Sequence, residues 1–222
     1  MSLIVIEGLD GSGKGTQSRL LSEYLEKNNI ESKKVTFPDY DSDSSALVKM
    51  YLAGDFGTEA GAVNAYAASS FFAVDRFASY NMNWKKEYQR GVLILADRYT
   101  TSNITYQLSK LDESEWNSFA DWIYDYEFIK LGLPVPDAVI YLDMDPQVSQ
   151  KLLTSRYSGD NSKKDIHENN ISYLTRCRQA AVYAQEKFGW HKISCNTADS
   201  EPRSIDDIHN EIISYLKENN LI

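Results

Sequence analysis

A chain of 222 residues with 42% hydrophobic content has room for one α/β domain with a full core. Its net charge of −9 excludes a broad basic face for nucleic acid, although a cleft in an acidic protein stays locally positive where a few Arg and Lys are concentrated. No apolar run is long enough to span a bilayer, and no repeat or Pro/Gly/Ser-rich linker divides the chain, so a single domain over 1–222 without a membrane partner is expected. The N-terminus enters an apolar strand without a basic leader, and Cys177 and Cys195 lack metal-ligand spacing; reduced thiols and a cytoplasmic setting are the expectation.

The first predicted element is a strand over 3–6, an apolar run of the kind buried on both faces of a sheet. It runs into a turn containing Gly8, Asp10, Gly11, Ser12, Gly13 and Gly15, then a helix over 14–28. The spacing Gly8-x-x-x-x-Gly13-Lys14 between strand and helix predicts a phosphate-binding loop. Its backbone N–H groups and the helix N-terminus converge on an anion, and Lys14 adds a full charge for the β/γ-phosphates. The hydroxyl usual directly after the Lys is displaced by one residue: Gly15 stands there, and Thr16 is the expected Mg²⁺ ligand. A second strand over 33–36 leads to Pro38 and Tyr40, and helices follow over 44–52 and 61–81. In the second of these helices Phe72 and Arg76 lie one turn apart, the pairing that stacks a base and bonds its edge; taken alone, Phe71 and Phe72 read as core residues.

A third strand over 92–96 ends in Asp97-Arg98-Tyr99. The bland reading is a solvated ion pair at a strand end. The functional one is a carboxylate near the metal and a guanidinium gripping a second phosphate by its fork of donors. A helix over 114–131 carries Trp116, Phe119, Trp122 and Tyr126 at helical spacing, which reads as core or a dimer face. A strand over 138–142 precedes a helix over 146–155, with Pro146 in its first turn and Asp145 as its cap. The polar segment 156–165 is a surface loop by default. In a phosphoryl-transfer enzyme it is a lid whose cations, Arg156, Lys163 and Lys164, close over the transferring group. Asp165 and Glu168 open the next helix, over 167–188, as cap and capping-box partner. A strand over 191–194 and a helix over 204–218 complete the chain; His191 and His209 read as structural, and Asn196 and Thr197 are adenine-site candidates by position only. Alternating strands and helices predict a mostly parallel sheet with ligands at the carboxyl ends of its strands.

Taken together, GLDGSGKGTQ (8–17), TFPDY (36–40), FFAVDR (71–76), DRYTTSNITYQ (97–107), the basic segment after Arg156 and KDIHE (164–168) resemble the thymidylate kinase family over essentially the whole chain. That resemblance implies a P-loop NTPase-type three-layer sandwich whose five parallel strands run in the order 2-3-1-4-5. It also implies a homodimer, and phosphorylation of thymidine monophosphate by ATP with Mg²⁺. By the same resemblance Asp10 contacts the sugar 3′-hydroxyl and helps organise the metal. Phe72 stacks on thymine, Arg76 bonds its O4, Ser102 and Asn103 read the rest of the base, and Gln107 is a further substrate-binding residue. Tyr106 packs on the sugar and disfavours a 2′-hydroxyl, Arg98 holds the acceptor phosphate, and Pro38 and Tyr40 form the acceptor wall. Asp165, His167 and Glu168 match the lid end of the site, with Glu168 and Asp97 as further metal candidates; His167 stands where an aromatic residue is frequent. Gly11 replaces the phosphate-loop Arg of some members, which throws the catalytic cation onto Arg156, Lys163 or Lys164. Other readings are a kinase for a different monophosphate, or a deoxynucleoside kinase with Asp39 as its base. A nucleotide switch would need an Asn-Lys-x-Asp run, which is absent.

Overall fold

The computed structural model describes residues 2–59, 61–156 and 171–222, the side chains of 153–156 excepted. Strand β1 (Leu3–Gly8) is buried at every position and lies at the centre of a parallel sheet. Its neighbours are β3 (Leu93–Asp97) and β4 (Ala138–Asp143), with Leu3 opposite Ile94 and Ile4 opposite Ala138. The outer strands β2 (Ser32–Thr36) and β5 (His191–Ser194) give the order β2-β3-β1-β4-β5. Alternation along β1 splits the core in two. Leu3 and Val5 face Trp84, Tyr99 and Phe119 on one side, while Ile4 and Ile6 face Leu21, Leu25, Ile212 and Leu216 on the other.

The flanking helices among the described residues are α1 (Lys14–Lys27), α2 (Ala46–Ala53), α3 (Ala65–Ser79), α4 (Lys85–Gln89), α5 (Thr100–Leu108), α6 (Trp116–Tyr124), α7 (Pro146–Arg156), α8 (Ile171–Phe188) and α9 (Ile205–Glu218). Three differ from the sequence-based expectation. The helix expected over 61–81 begins only at Ala65, where Asn64 Oδ1 accepts the Ala67 N–H, and continues into a π-helical turn at Tyr80–Trp84 before α4. The one expected over 114–131 is α6 flanked by a 3₁₀ turn (Glu113–Glu115) and a π-helical turn (Asp125–Lys130). Helix α5 has no counterpart in the sequence reading. Its Thr-Thr-Ser-Asn opening has weak helical propensity, and tertiary bonds to buried carboxylates hold it instead.

Asp145 caps α7 as expected, accepting the Gln147 N–H, and Ser204 caps α9. Trp116 and Phe119 are core residues, with Trp122 and Tyr126 stacked against the same cluster. His191 stacks on Tyr215, and His209 meets the edge of Tyr24. Cys177 and Cys195 are free, buried thiols that burial pushes up to about 12. No helix among the described residues is long and apolar enough to cross a membrane.

Lys110, just past α5, ties that helix to α2: its Nζ donates to Tyr51 Oη at 2.7 Å and to the Val63 carbonyl at 3.2 Å. Burial pulls this amine down from 10.5 to about 8. Between those values the unfolded chain binds the additional proton, so stability rises with pH across that window. In urea unfolding, the protein is expected to gain on the order of 1–2 kcal/mol relative to Lys110→Met between about pH 8 and 9.5. Parallel stability curves would show that the amine is solvated in the folded state.

Candidate active site

A cavity of about 810 Å³ opens at the carboxyl ends of β1, β2 and β3. Its floor is the glycine turn. A Cβ on Gly8 would stand 2.6 Å from Ser12 Oγ and 2.8 Å from the Leu142 carbonyl, so a side chain is excluded there by close packing. Gly13 has φ +93 and open space around it, so glycine is required by conformation rather than by contact. The turn delivers Lys14 to the first position of α1, with its Nζ 2.9 Å from the Leu9 carbonyl and 3.5 Å from Asp10 Oδ1.

Arg98 reaches the same place from β3. Its backbone N–H bonds the Ile6 carbonyl, its φ is +66, and its Nη2 donates to Asp10 Oδ1. Nη1 lies 3.3 Å from both Ser102 Oγ and the Tyr106 hydroxyl, and Tyr106 donates to Asp10 Oδ2 at 3.0 Å. Two cations therefore converge on one carboxylate oxygen. Burial opposes the charge on Asp10, yet Arg98, Lys14 and the Tyr106 hydroxyl hold its carboxyl well below the usual range. Burial and the neighbouring Arg98 pull Lys14 down, against the opposing effect of Asp10. Burial works against the Arg98 charge, but Asp10, Tyr106 and Glu7 together outweigh it and raise the guanidinium further; burial pushes the Tyr106 phenol up.

Two fully buried carboxylates that the sequence reading passed over organise this wall. Glu7, inside β1, accepts from the Gly8 N–H at 2.9 Å, Thr101 Oγ1 at 2.5 Å and Ser102 Oγ at 2.8 Å. Glu127 accepts from Arg76 Nε (2.7 Å) and Nη2 (2.5 Å), Thr100 Oγ1 (2.7 Å) and Asn103 Nδ2 (2.8 Å). The four opening side chains of α5 are thus shared between them. Glu7 had a legible signal, as the one charge in an apolar strand. Glu127, within an aromatic helical stretch, had none.

The cavity brings together nearly all the predicted residues within the described part of the chain. Phe72, Arg76, Asn103, Tyr106 and Gln107 line one end, with Pro38 and Tyr40 beside them; the Phe37–Pro38 peptide is cis. Phe71 turns away and packs on Phe56 and Tyr51, while Tyr51 also meets Phe72 edge to face at 6.0 Å. Buried Ser12 Oγ and Gln107 Oε1 have no hydrogen-bond partner among the described residues, so the cavity wall carries polar atoms in want of a polar ligand. Asp39 does not line the cavity: its N–H bonds Asp75 Oδ2, and its carboxylate accepts from Asn83.

Thr16 and Asp97 both line the cavity, with Asp97 Oδ2 3.8 Å from the point where a Gly15 Cβ would be. No hydrogen bond ties that carboxylate among the described residues, whereas both Asp10 oxygens are engaged. The described residues hold no cluster of three or more His, Cys, Asp or Glu side chains able to hold a metal ion; the Thr16 hydroxyl and the Asp97 carboxylate are hard oxygen donors of the kind Mg²⁺ takes. The adenine-site candidates Asn196 and Thr197 do not line the cavity. Asn196 Oδ1 is bonded by the Asp145 N–H, and the wall there is Arg203, Ser204, Ile205 and Ile208, with Gln17 Nε2 donating to the Ile205 carbonyl. Lys163, Lys164, Asp165, His167 and Glu168 lie outside the described residues, as does the side chain of Arg156.

Residues 6–212 match the family model for thymidylate kinase. The probable thymidylate kinase of Methanosphaera stadtmanae is 33% identical over 217 residues, 96% of this chain and 98% of that protein. The thymidylate kinase of Caenorhabditis elegans is also 33% identical, over 156 residues that make up 66% of this chain and 65% of that protein. Among solved structures, thymidylate kinase from Candida albicans superposes with a TM-score of 0.70 at 22% identity, over 99% of this chain and 92% of that one, a likeness of fold.

Proposed function

The chain belongs to the thymidylate kinase family, phosphotransferases that make thymidine diphosphate from the monophosphate, and on that premise we propose which residues carry the reaction. The observation that carries the reading is the convergence of Lys14 and Arg98 on Asp10 at the glycine turn. One cation belongs to a phosphate-binding loop and the other to the facing strand, so a donor triphosphate and an acceptor monophosphate meet end to end between them. The backbone N–H groups from Gly11 to Thr16 cradle the ATP phosphates, and Lys14 takes the β/γ oxygens. Arg98 holds the acceptor phosphate by its fork of donors. Phe72 stacks on thymine, Arg76, Ser102, Asn103 and Gln107 read its edge, and Tyr106 packs against the sugar. Pro38 and Tyr40 form the acceptor wall, Asp10 meets the 3′-hydroxyl, and the adenine end lies along Arg203–Ile205. Thr16 and Asp97 would hold Mg²⁺, with Glu168 as a further candidate; when bound, the ion neutralises charge on the β- and γ-phosphate oxygens.

Transfer in this arrangement is direct and in line, driven by positioning and by cations around the spreading charge. Arg156, Lys163 and Lys164 supply the lid cation because Gly11 leaves none in the phosphate loop. Asp165 and His167 belong to the lid helix. The protein is taken as a single domain, a homodimer through helical faces, and a cytoplasmic enzyme.

Incubation with ATP, Mg²⁺ and each deoxynucleoside or deoxynucleoside monophosphate, with ADP as readout, tests the reading. Thymidine monophosphate is expected to be the preferred acceptor and free thymidine inert. Turnover of thymidine itself would make the protein a nucleoside kinase, a reading that the placement of Asp39 outside the cavity disfavours.

A further inference from the structure

Glu127 makes four accepted hydrogen bonds, the full capacity of a carboxylate, and does not line the cavity. It therefore has nothing left to offer a ligand directly. Its partners Arg76 and Asn103 do line the cavity, and Thr100 opens the helix that carries Asn103. Each partner is constrained in a way that matters for base recognition. Arg76 gives its Nε–H and one Nη2–H to Glu127, which leaves both Nη1 hydrogens and the second one on Nη2 as its remaining donors. Asn103 gives Nδ2 to Glu127 and to the Ser69 carbonyl, which leaves Oδ1, an acceptor, as the amide's remaining polar atom.

Neither a carboxylate nor the Ser69 carbonyl has a proton to donate, so together they dictate the sense of the amide: nitrogen toward Glu127, oxygen away. We propose that Glu127 is a positioning residue that sets the hydrogen-bond polarity of the base site, fixing a donor on Arg76 and an acceptor on Asn103. That pair complements the O4 acceptor and N3–H donor of a 4-oxo pyrimidine and opposes the N4 amine and N3 acceptor of cytosine. Discrimination then comes from unpaired polar groups when the wrong base enters. The local backbone supports a dedicated role. Glu127 lies in the π-helical turn Asp125–Lys130, a widened turn of the sort that recurs at functional sites, and its carbonyl is bonded by the Leu133 N–H.

The proposal rests on the thymidylate reading above, and the test separates the two. Glu127→Gln keeps the shape but puts an NH₂ group in place of one acceptor oxygen, which withdraws an acceptor from Arg76 and Asn103 and leaves the Asn103 amide held by the Ser69 carbonyl alone. For that variant the preference for thymidine monophosphate over deoxycytidine monophosphate, as a ratio of kcat/KM, is expected to fall ~10-fold or more, with the KM for ATP unchanged. If the variant fails to fold, Glu127→Asp keeps the charge but withdraws the oxygens by one methylene, and the same ratio is expected to fall. A variant that folds and loses activity equally toward both monophosphates would show a purely structural carboxylate and overturn the proposal. A wild-type protein inactive on thymidine monophosphate would instead overturn the functional reading beneath it.

Discussion

Lys14→Ala is expected to lower kcat by about three orders of magnitude while leaving the fold intact. The stability half of this expectation is as specific as the catalytic half. Lys14 is buried beside a second cation, Arg98, and both are drawn to the same Asp10 oxygen. Removing the ammonium relieves repulsion with Arg98, and Asp10 keeps its bonds to Arg98 and Tyr106. No buried charge is stranded, so thermal unfolding should shift by only a few degrees. Steady-state turnover with saturating ATP and thymidine monophosphate, alongside a melting curve, checks both parts. Near-normal turnover would mean that the glycine turn serves structure rather than phosphate.

Arg98→Ala is expected to act on the other substrate. The KM for the monophosphate should rise and its kcat/KM fall by about 10²–10³, whereas ATP affinity in calorimetry stays within a few fold. The asymmetry follows from the direction of approach. Lys14 comes from the glycine turn proposed to wrap the donor, and Arg98 from the end of β3, beside Tyr106 and Ser102 in the half proposed for the acceptor. An equal loss of both affinities would mean that Arg98 serves mainly to hold Asp10 and the turn in shape.

Much of this arrangement was legible in the residues because it is local. The apolar run of β1, the glycine spacing and Lys14 are contiguous, and the acid–base pair at the end of β3 interrupts a strand that is otherwise apolar. The sheet order and the roles in the base site came with the family resemblance. What stayed hidden depends on distant partners. Helix α5 is written in residues that disfavour helix, and it forms because Thr100 and Asn103 bond Glu127 while Thr101 and Ser102 bond Glu7. Glu127 itself sits 51 positions from the arginine it holds. The π-helical turns at Tyr80–Trp84 and Asp125–Lys130 leave the periodicity close enough to helical that one long helix was expected at each place. Asn196 and Thr197 do not line the cavity because the turn after β5 folds back on itself through the Asn196–Pro202 bridge, which carries Arg203–Ile205 there instead.

The left-handed backbone at Arg98 has a consequence for anyone engineering this protein. A residue with a side chain held there costs about 1 kcal/mol more than one without. Glycine there would relieve that strain but would also take the guanidinium from Asp10, Ser102 and Tyr106, and losing one partner of a largely buried ion pair costs up to about 3–5 kcal/mol, more than the strain returns. Durability and chemistry therefore favour the same side chain at this position, and a library enriched only by survival would retain the arginine despite its backbone.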